Sequence, residues 1–204
     1  MAITSFQETD TAAVCGQPNA FCSGQTSAAS ADARQAILGG AAGTVAHTVT
    51  MAASATDVIG VNFEIPAASL AGLVWAAGQW TVRLHITTAN LNVSLDSISI
   101  CQVNNACASV SSIVSTQTGI GDPLNATTHT VQFNGVAVPS PASTDTVQIL
   151  LAFTNALASS QAFAYKADVL IDSPFGVVPI PTEEPDQFMA FGPIPPPTLV
   201  SLWG

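Results

Sequence analysis

Apolar and polar residues alternate through the middle of the chain. In WTVRLHITTA (80–89), Trp80, Val82, Leu84 and Ile86 fall on one side, and Thr81, Arg83, His85 and Thr87 on the other. That period of two is what a half-buried antiparallel strand requires. TVAHTVTMAA (44–53) sets Val45, His47, Val49 and Met51 against small and hydroxyl residues, and TDVIGVNFEI (56–65) puts Val61, Phe63 and Ile65 on one side before Pro66 stops it. VSLDSISICQV repeats the pattern with Ile98 and Ile100, followed by SVSSIVSTQT, HTVQFNGVAV, DTVQILLAFTNA and AFAYKADVLIDS. SLAGLVWAAG reads as a buried strand or an apolar loop. The segments make about eight or nine strands, separated by Gly, Pro, Asn and Asp clusters. No helical period intervenes that is long enough for βαβ units. The pattern therefore predicts an all-β chain, an antiparallel β-sandwich of jelly-roll type over residues 44–175. AHTVTM (46–51) and THTVQF (128–133) echo each other, as equivalent edges of two Greek keys would, although Thr-Val alternation is common enough in sheets to produce this by chance.

The flanks break the pattern. Residues 1–43 read as an irregular N-terminal segment or arm. CGQPNAFC is a turn-rich loop, SAASADARQAIL has the residues of a short helix capped near Ser30 or Asp32, and Gly39-Gly40 would stop that helix. Residues 176–204 read as an extended C-terminal arm. The stretch PFGVVPIPTEEPDQFMAFGPIPPPTLVSLWG holds eight of the chain's 13 prolines. Proline fixes φ and removes a donor, so an inner strand or helix is ruled out there. The arm nevertheless keeps Phe188, Met189, Phe191, Leu199, Leu202 and Trp203. A solvated linker would be polar or Gly/Ser-rich. These side chains are the candidate interface of an arm that lies on a neighbouring subunit, with folding back on its own domain as the alternative.

Composition narrows the partners. Hydrophobic residues make up 48 % of the 204 positions, and charged ones only 8 %, against roughly 25 % in an ordinary soluble domain. Solubility rests on Thr, Ser, Asn and Gln. The cations are Arg34, Arg83 and Lys166, and the formal net charge is −10. Nucleic acid and anionic membranes are held by clustered Lys and Arg, so neither is an expected partner. The start MAITSFQETD has no basic and apolar signal pattern, and the apolar run at 67–77 is shorter than the roughly 20 residues that span a bilayer. Synthesis in a cytoplasm is the expectation.

The cysteines form two close pairs in sequence, Cys15 with Cys22 and Cys101 with Cys107. All four are disulfide candidates, each pair closing a small loop; free thiols and a metal are the rival readings. The spacing is wider than in zinc knuckles and no His lies near. Disulfides in a chain made in the cytoplasm would form late, after lysis.

Candidate chemistry is sparse. His47, His85 and His129 sit in Thr/Val strands and read as surface or cross-strand residues. There is no HExxH, nucleophile elbow, P-loop, GxGxxG or EF-hand spacing. Glu64, Asp96, Asp122, Asp145, Asp168 and Asp172 are the acids from which a glycosidase pair would be drawn; Asp122, Asp145 and Asp172 look like turn residues. Glu183, Glu184 and Asp186 read as a solvated charge run. Trp80, Phe133, Phe153 and Tyr165 are the expected core anchors, and Trp75 and Trp203 the aromatics left over for a sugar-binding face. No catalytic, cofactor or metal residue is assigned, and an enzyme is not expected.

The stretch GQWTVRLHITTANLNVSLDSISICQVNNAC (78–107), with its Trp-led strand, Asn-rich turn and following ISICQVN, resembles strands in β-sandwich structural proteins of tailed bacteriophages, particularly capsid decoration or cement proteins and fibre-associated domains. The resemblance extends over residues 44–175 and transfers no catalytic residue. It implies a small β-domain, often oligomeric, that reinforces a capsid from outside. The expectations are thus a virion location on the outer shell, the major capsid protein and copies of itself as partners, and a homo-oligomer with a trimer among the options. A phage fibre or spike subunit, or an extracellular carbohydrate-binding or adhesin module, is the alternative.

Overall fold

The computed structural model describes residues 4–15, 32–56, 58–112, 120–136 and 142–177. Within them the chain is all-β and sandwich-like. Its strands are β1 (Thr4–Ala12), β2 (Asp32–Leu38), β3 (His47–Met51), β4 (Val58–Ile65), β5 (Leu73–Val74), β6 (Gly78–Thr88), β7 (Asn90–Val103), β8 (Ser109–Ser112), β9 (Asp122–Leu124), β10 (Thr128–Gly135), β11 (Thr146–Asn155), β12 (Gln161–Tyr165), β13 (Leu170–Ser173) and β14 (Gly176–Val177), with one short helix α1 (Ala67–Leu70). Pairing is antiparallel except between β2 and β4.

β6 organises one layer. Its first edge pairs with β10 from Gly78↔Gly135 to His85↔Thr128. Its other edge takes β13 at residues 81–83 and β12 at Ile86 and Thr88. β12 and β13 therefore run along the same strand in succession, interrupted at residues 166–169. Beyond that break the sheet divides: β12 leads to β3, and β13 leads through β1, β2 and β4 to β11 and β7. β7 is flanked on its far side by β9 and then β8. Register shifts on β11 at residues 151–153 bend the second layer.

The alternation read from the sequence sets the core. Trp80, Val82, Leu84 and Ile86 of β6 are buried in one cluster with Val61, Phe63 and Ile65 of β4, Ile98 and Ile100 of β7, and Ile149, Leu151 and Phe153 of β11. Phe153 meets Phe163 at 4.8 Å between ring centres, and Trp80 meets Phe175 edge-on at 5.0 Å. Each such side chain removed from water contributes roughly 1.5–3 kcal/mol. Phe133 and Tyr165 are buried as well.

The N-terminal stretch departs from expectation. Among its described residues, β1 and β2 lie inside the large sheet, Thr4 opposite Ser173 and Phe6 opposite Leu38. Where the sequence predicts a helix, residues 32–38 form a strand. Helix propensities are worth a few tenths of a kcal/mol per residue. Pairing on both edges, with Ala36 in the core, outweighs them. The apolar stretch at 69–78 contains the end of α1 and the two-residue strand β5, which pairs with β14.

The expected local cysteine loops are also corrected. Cys15 is bonded to Cys107, 92 residues away. Cys101 is buried and disulfide-bonded, and Cys22 lies outside the described residues. The 104–108 turn needs no internal crosslink, because Asn104 Oδ1 accepts the N–H groups of Ala106 and Ala108 at 2.9 and 3.0 Å. Cys15, Cys101 and Cys107 instead join Val103, Leu150 and Ala152 in a second small apolar cluster on the outer side of β7 and β11.

Candidate functional site

The outer face of β10 and β6 carries almost no unbalanced charge. On β10, Thr128, Thr130, Gln132 and Asn134 are exposed while His129, Val131 and Phe133 point into the core. On β6 the matching outer positions are Gln79, Thr81, Arg83, His85 and Thr87, in register with β10. Arg83 is paired with Asp172 on β13 at 2.5 Å, and Ser5 Oγ donates to the other oxygen of Asp172 at 2.5 Å. His85 Nδ1 stands 3.7 Å from Asp168. Asp172 is thus a strand residue whose carboxylate neutralises the guanidinium, rather than a turn residue.

Two strands end this part of the sheet. Among the described residues, β10 pairs only with β6, and β3 only with β12. Both carry the sequence echo, and both bury their His: His47, Val49 and Met51 face inward on β3 as His129, Val131 and Phe133 do on β10. An eight-residue edge such as β10, without charge, proline or bulge, is a ready template for another strand. Natural edges usually carry Lys, Pro or a bulge against this.

Of the surface and cross-strand readings of the histidines, the surface one fails for His47 and His129, which are buried and reach residues of other strands. His47 is 3 % exposed; its Nε2 lies 3.0 Å from Oε1 of the fully buried Glu8, and its ring stacks on Tyr165 at 4.9 Å. His129 Nδ1 meets Asp122 Oδ2 at 2.5 Å, and its Nε2 lies 3.2 Å from the carbonyl of Asn125. Both ring nitrogens are thereby engaged in closing the β9–β10 turn. Asp122 itself begins β9. Asp145 Oδ2 accepts from the Ala142 N–H at 2.9 Å and from the amide of Gln102, which fixes the turn before β11.

Glu64 is the buried acid with a different task. Its Oε2 accepts the backbone N–H of Cys15 at 2.6 Å, the amide of Gln148 donates to the Cys15 carbonyl, and Asn62 donates to Gln148 at 3.5 Å. Burial pushes the Glu64 carboxyl above its ordinary value, opposed by the amides of Cys15 and Val14. This network clamps the residue that carries the long disulfide. Among the described residues no three or more of His, Cys, Asp and Glu stand together so as to hold a metal. The arm residues Phe188, Met189, Phe191, Leu199, Leu202 and Trp203, and the acids Glu183, Glu184 and Asp186, lie outside the described residues. Asp96 is half-buried on β7.

A cleft of about 440 Å³ opens beside β5, with Leu70, Gly72, Leu73 and Trp75 on one side and Ser143 and Asp145 on the other. Trp75 is half-buried and stacks on Phe175 at 5.1 Å. Sequence reading leaves Trp75 over for a sugar-binding face and does not indicate a cleft, because its walls depend on α1 and on the 142–145 turn, which no local pattern connects.

No family model matches the chain, and no curated protein matches it. Among solved structures it is similar to an arabinose-bound GH51 α-L-arabinofuranosidase, MgGH51 (9 % identity, TM-score 0.35, covering 61 % of this chain and 19 % of that one). It is also similar to a CocE/NonD family hydrolase from Staphylococcus aureus (7 %, 0.42, 82 % and 36 %), and to a β-glucosidase from Paenibacillus barengoltzii (12 %, 0.21, 80 % and 13 %). The chain spans well under half the length of each of these proteins. No property of those enzymes is carried over to it.

Proposed function

We propose that this protein is a virion structural component, a decoration or cement protein that packs on a capsid and on copies of itself. The observation that supports this reading best is the edge of β10 together with the charge-balanced Thr/Gln/Asn face beside it. A protein that works as a free monomer guards such an edge; a lattice element uses it as interface. The internal pairing of Arg83 with Asp172 serves the same end, because a face without unpaired charge is desolvated at little cost when copies pack together. The formal charge of −10 fits a position outside a shell, away from the genome. The long disulfide and its clamp fit a component that must survive outside a cell.

The test has two arms. The solution mass of the full-length protein is compared with that of a Thr130→Lys/Gln132→Lys variant, and density-purified particles of the encoding virus are probed with antibody to the protein. Self-association lost in the variant at unchanged melting temperature, with label over the shell, is the expected result. A monomer in both cases, or particles that carry no label, overturns the proposal.

A further inference from the structure

The cleft beside β5 has a direction built into it. β14 is antiparallel to β5, with Gly176 opposite Val74 and Val177 opposite Leu73. A chain continuing in that direction heads past Gly72 and Ala71 towards the end of α1 at Leu70, and all three line the cleft. Gly72 has φ +75° and open space where a Cβ would stand, so it presents no side chain to a segment beside it. The wall on this side is otherwise apolar, built from Ala67, Leu70, Leu73 and Trp75.

The sequence that follows Val177 is Val-Pro-Ile-Pro, residues 178–181. It has no charge, and its two prolines favour an extended backbone that needs few hydrogen-bond partners. Proline-rich segments of this kind dock in aromatic-lined grooves. At about 3.1 Å per residue, four residues extend roughly 12 Å. The acidic residues Glu183, Glu184 and Asp186 come only afterwards, so the four residues themselves bring no negative charge to the wall that carries Asp145. We propose that the cleft seats residues 178–181 of the same chain, with Trp75 as the aromatic wall, and so fixes the direction in which the rest of the C-terminal segment leaves the domain. This assignment does not depend on the virion reading.

The test uses the full chain with Trp203→Phe, which leaves Trp75 and the fully buried Trp80 as the indoles. Acrylamide quenching then reports on Trp75. The expected result is weak quenching in this protein and a several-fold larger quenching constant when Val178→Asp and Ile180→Asp are added. A synthetic peptide of residues 177–186 should restore protection to that variant, which also shows that its domain is folded. Equal quenching with and without the two aspartates overturns the proposal, as does a peptide that restores nothing. Protection that is lost on dilution also overturns it, because the occupant is then a second copy. So does a Trp75 response to cellohexaose in the starting protein, which would show an open sugar site.

Discussion

Glu64 on β4 accepts the backbone N–H of Cys15 at 2.6 Å, so a buried carboxyl holds the residue from which the long disulfide springs. Desolvation is the main cause of its raised pKa, above the ordinary 4.5. The folded protein therefore keeps this proton to higher pH than the unfolded chain does. The resulting stability is complete below pH 4.5 and is lost as the pH rises through the folded value. Glu64→Gln keeps an acceptor oxygen without the ionisation. Melting temperatures followed from acid to neutral pH should decline in the parent and flatten in the variant; parallel curves would show that Glu64 is not the titrating group.

Opening the Cys15–Cys107 bond should cost much of the domain's stability. It closes a loop of 92 residues, for which the chain-entropy relation gives about 4–5 kcal/mol. Urea denaturation of Cys15→Ser/Cys107→Ser should show a midpoint well below the parent's, and reductant should lower the parent's midpoint further than the variant's. An unchanged midpoint would mean that the apolar cluster around Leu150 holds without the bond.

His47→Ala should be severely destabilising. It leaves Glu8, which is fully buried, without the imidazole 3.0 Å away. Removing one partner of a buried pair costs about 3–5 kcal/mol. A double-mutant cycle with Glu8→Ala should give a large coupling energy, read from chemical denaturation. Additive losses would show that packing against Tyr165, rather than the pair, carries the effect.

Gly60→Ala tests the approach of β4 to its neighbours. A Cβ at this position would lie 2.8 Å from Phe153 Cδ2 and 3.1 Å from Val49 Cγ1. The Phe153 ring would have to shift and Val49 to give way, and overpacking of this kind costs about 1–3 kcal/mol. The expected readout is a lowered melting temperature with an unchanged circular dichroism spectrum at low temperature.

The sequence makes β6 and β10 legible because their inward positions are apolar without exception from Trp80 to Ile86 and nearly so on β10. It hides β1 because the inward positions there are Thr4, Phe6 and Glu8: a pattern that looks for apolar residues does not accept a buried glutamate. Glu8 becomes an inward residue only once His47, from another strand, is opposite it. The helix reading of residues 32–38 fails for the related reason that both partners of β2 are supplied from elsewhere in the chain. Cysteine spacing does not give the pairing because nearness in sequence is not nearness in space; the Asn104 turn closes without Cys107 and leaves it available to Cys15. The β10 edge was legible as a neutral strand, but only the sheet order shows that its second side has no strand partner among the described residues.

The pairing of Thr4 with Ser173 sets a timetable. The two residues are separated by 169 positions, and β1 is the bridge through which β13 reaches β2 and the second layer. At a synthesis rate of about 5–20 residues per second, β1 is made roughly 8–34 s before its partner. During that interval the seam between the layers has nothing to close on. The link from β6 to β1 forms only once residues 170–173 have been made, and a nascent chain halted between β12 and β13 lacks it.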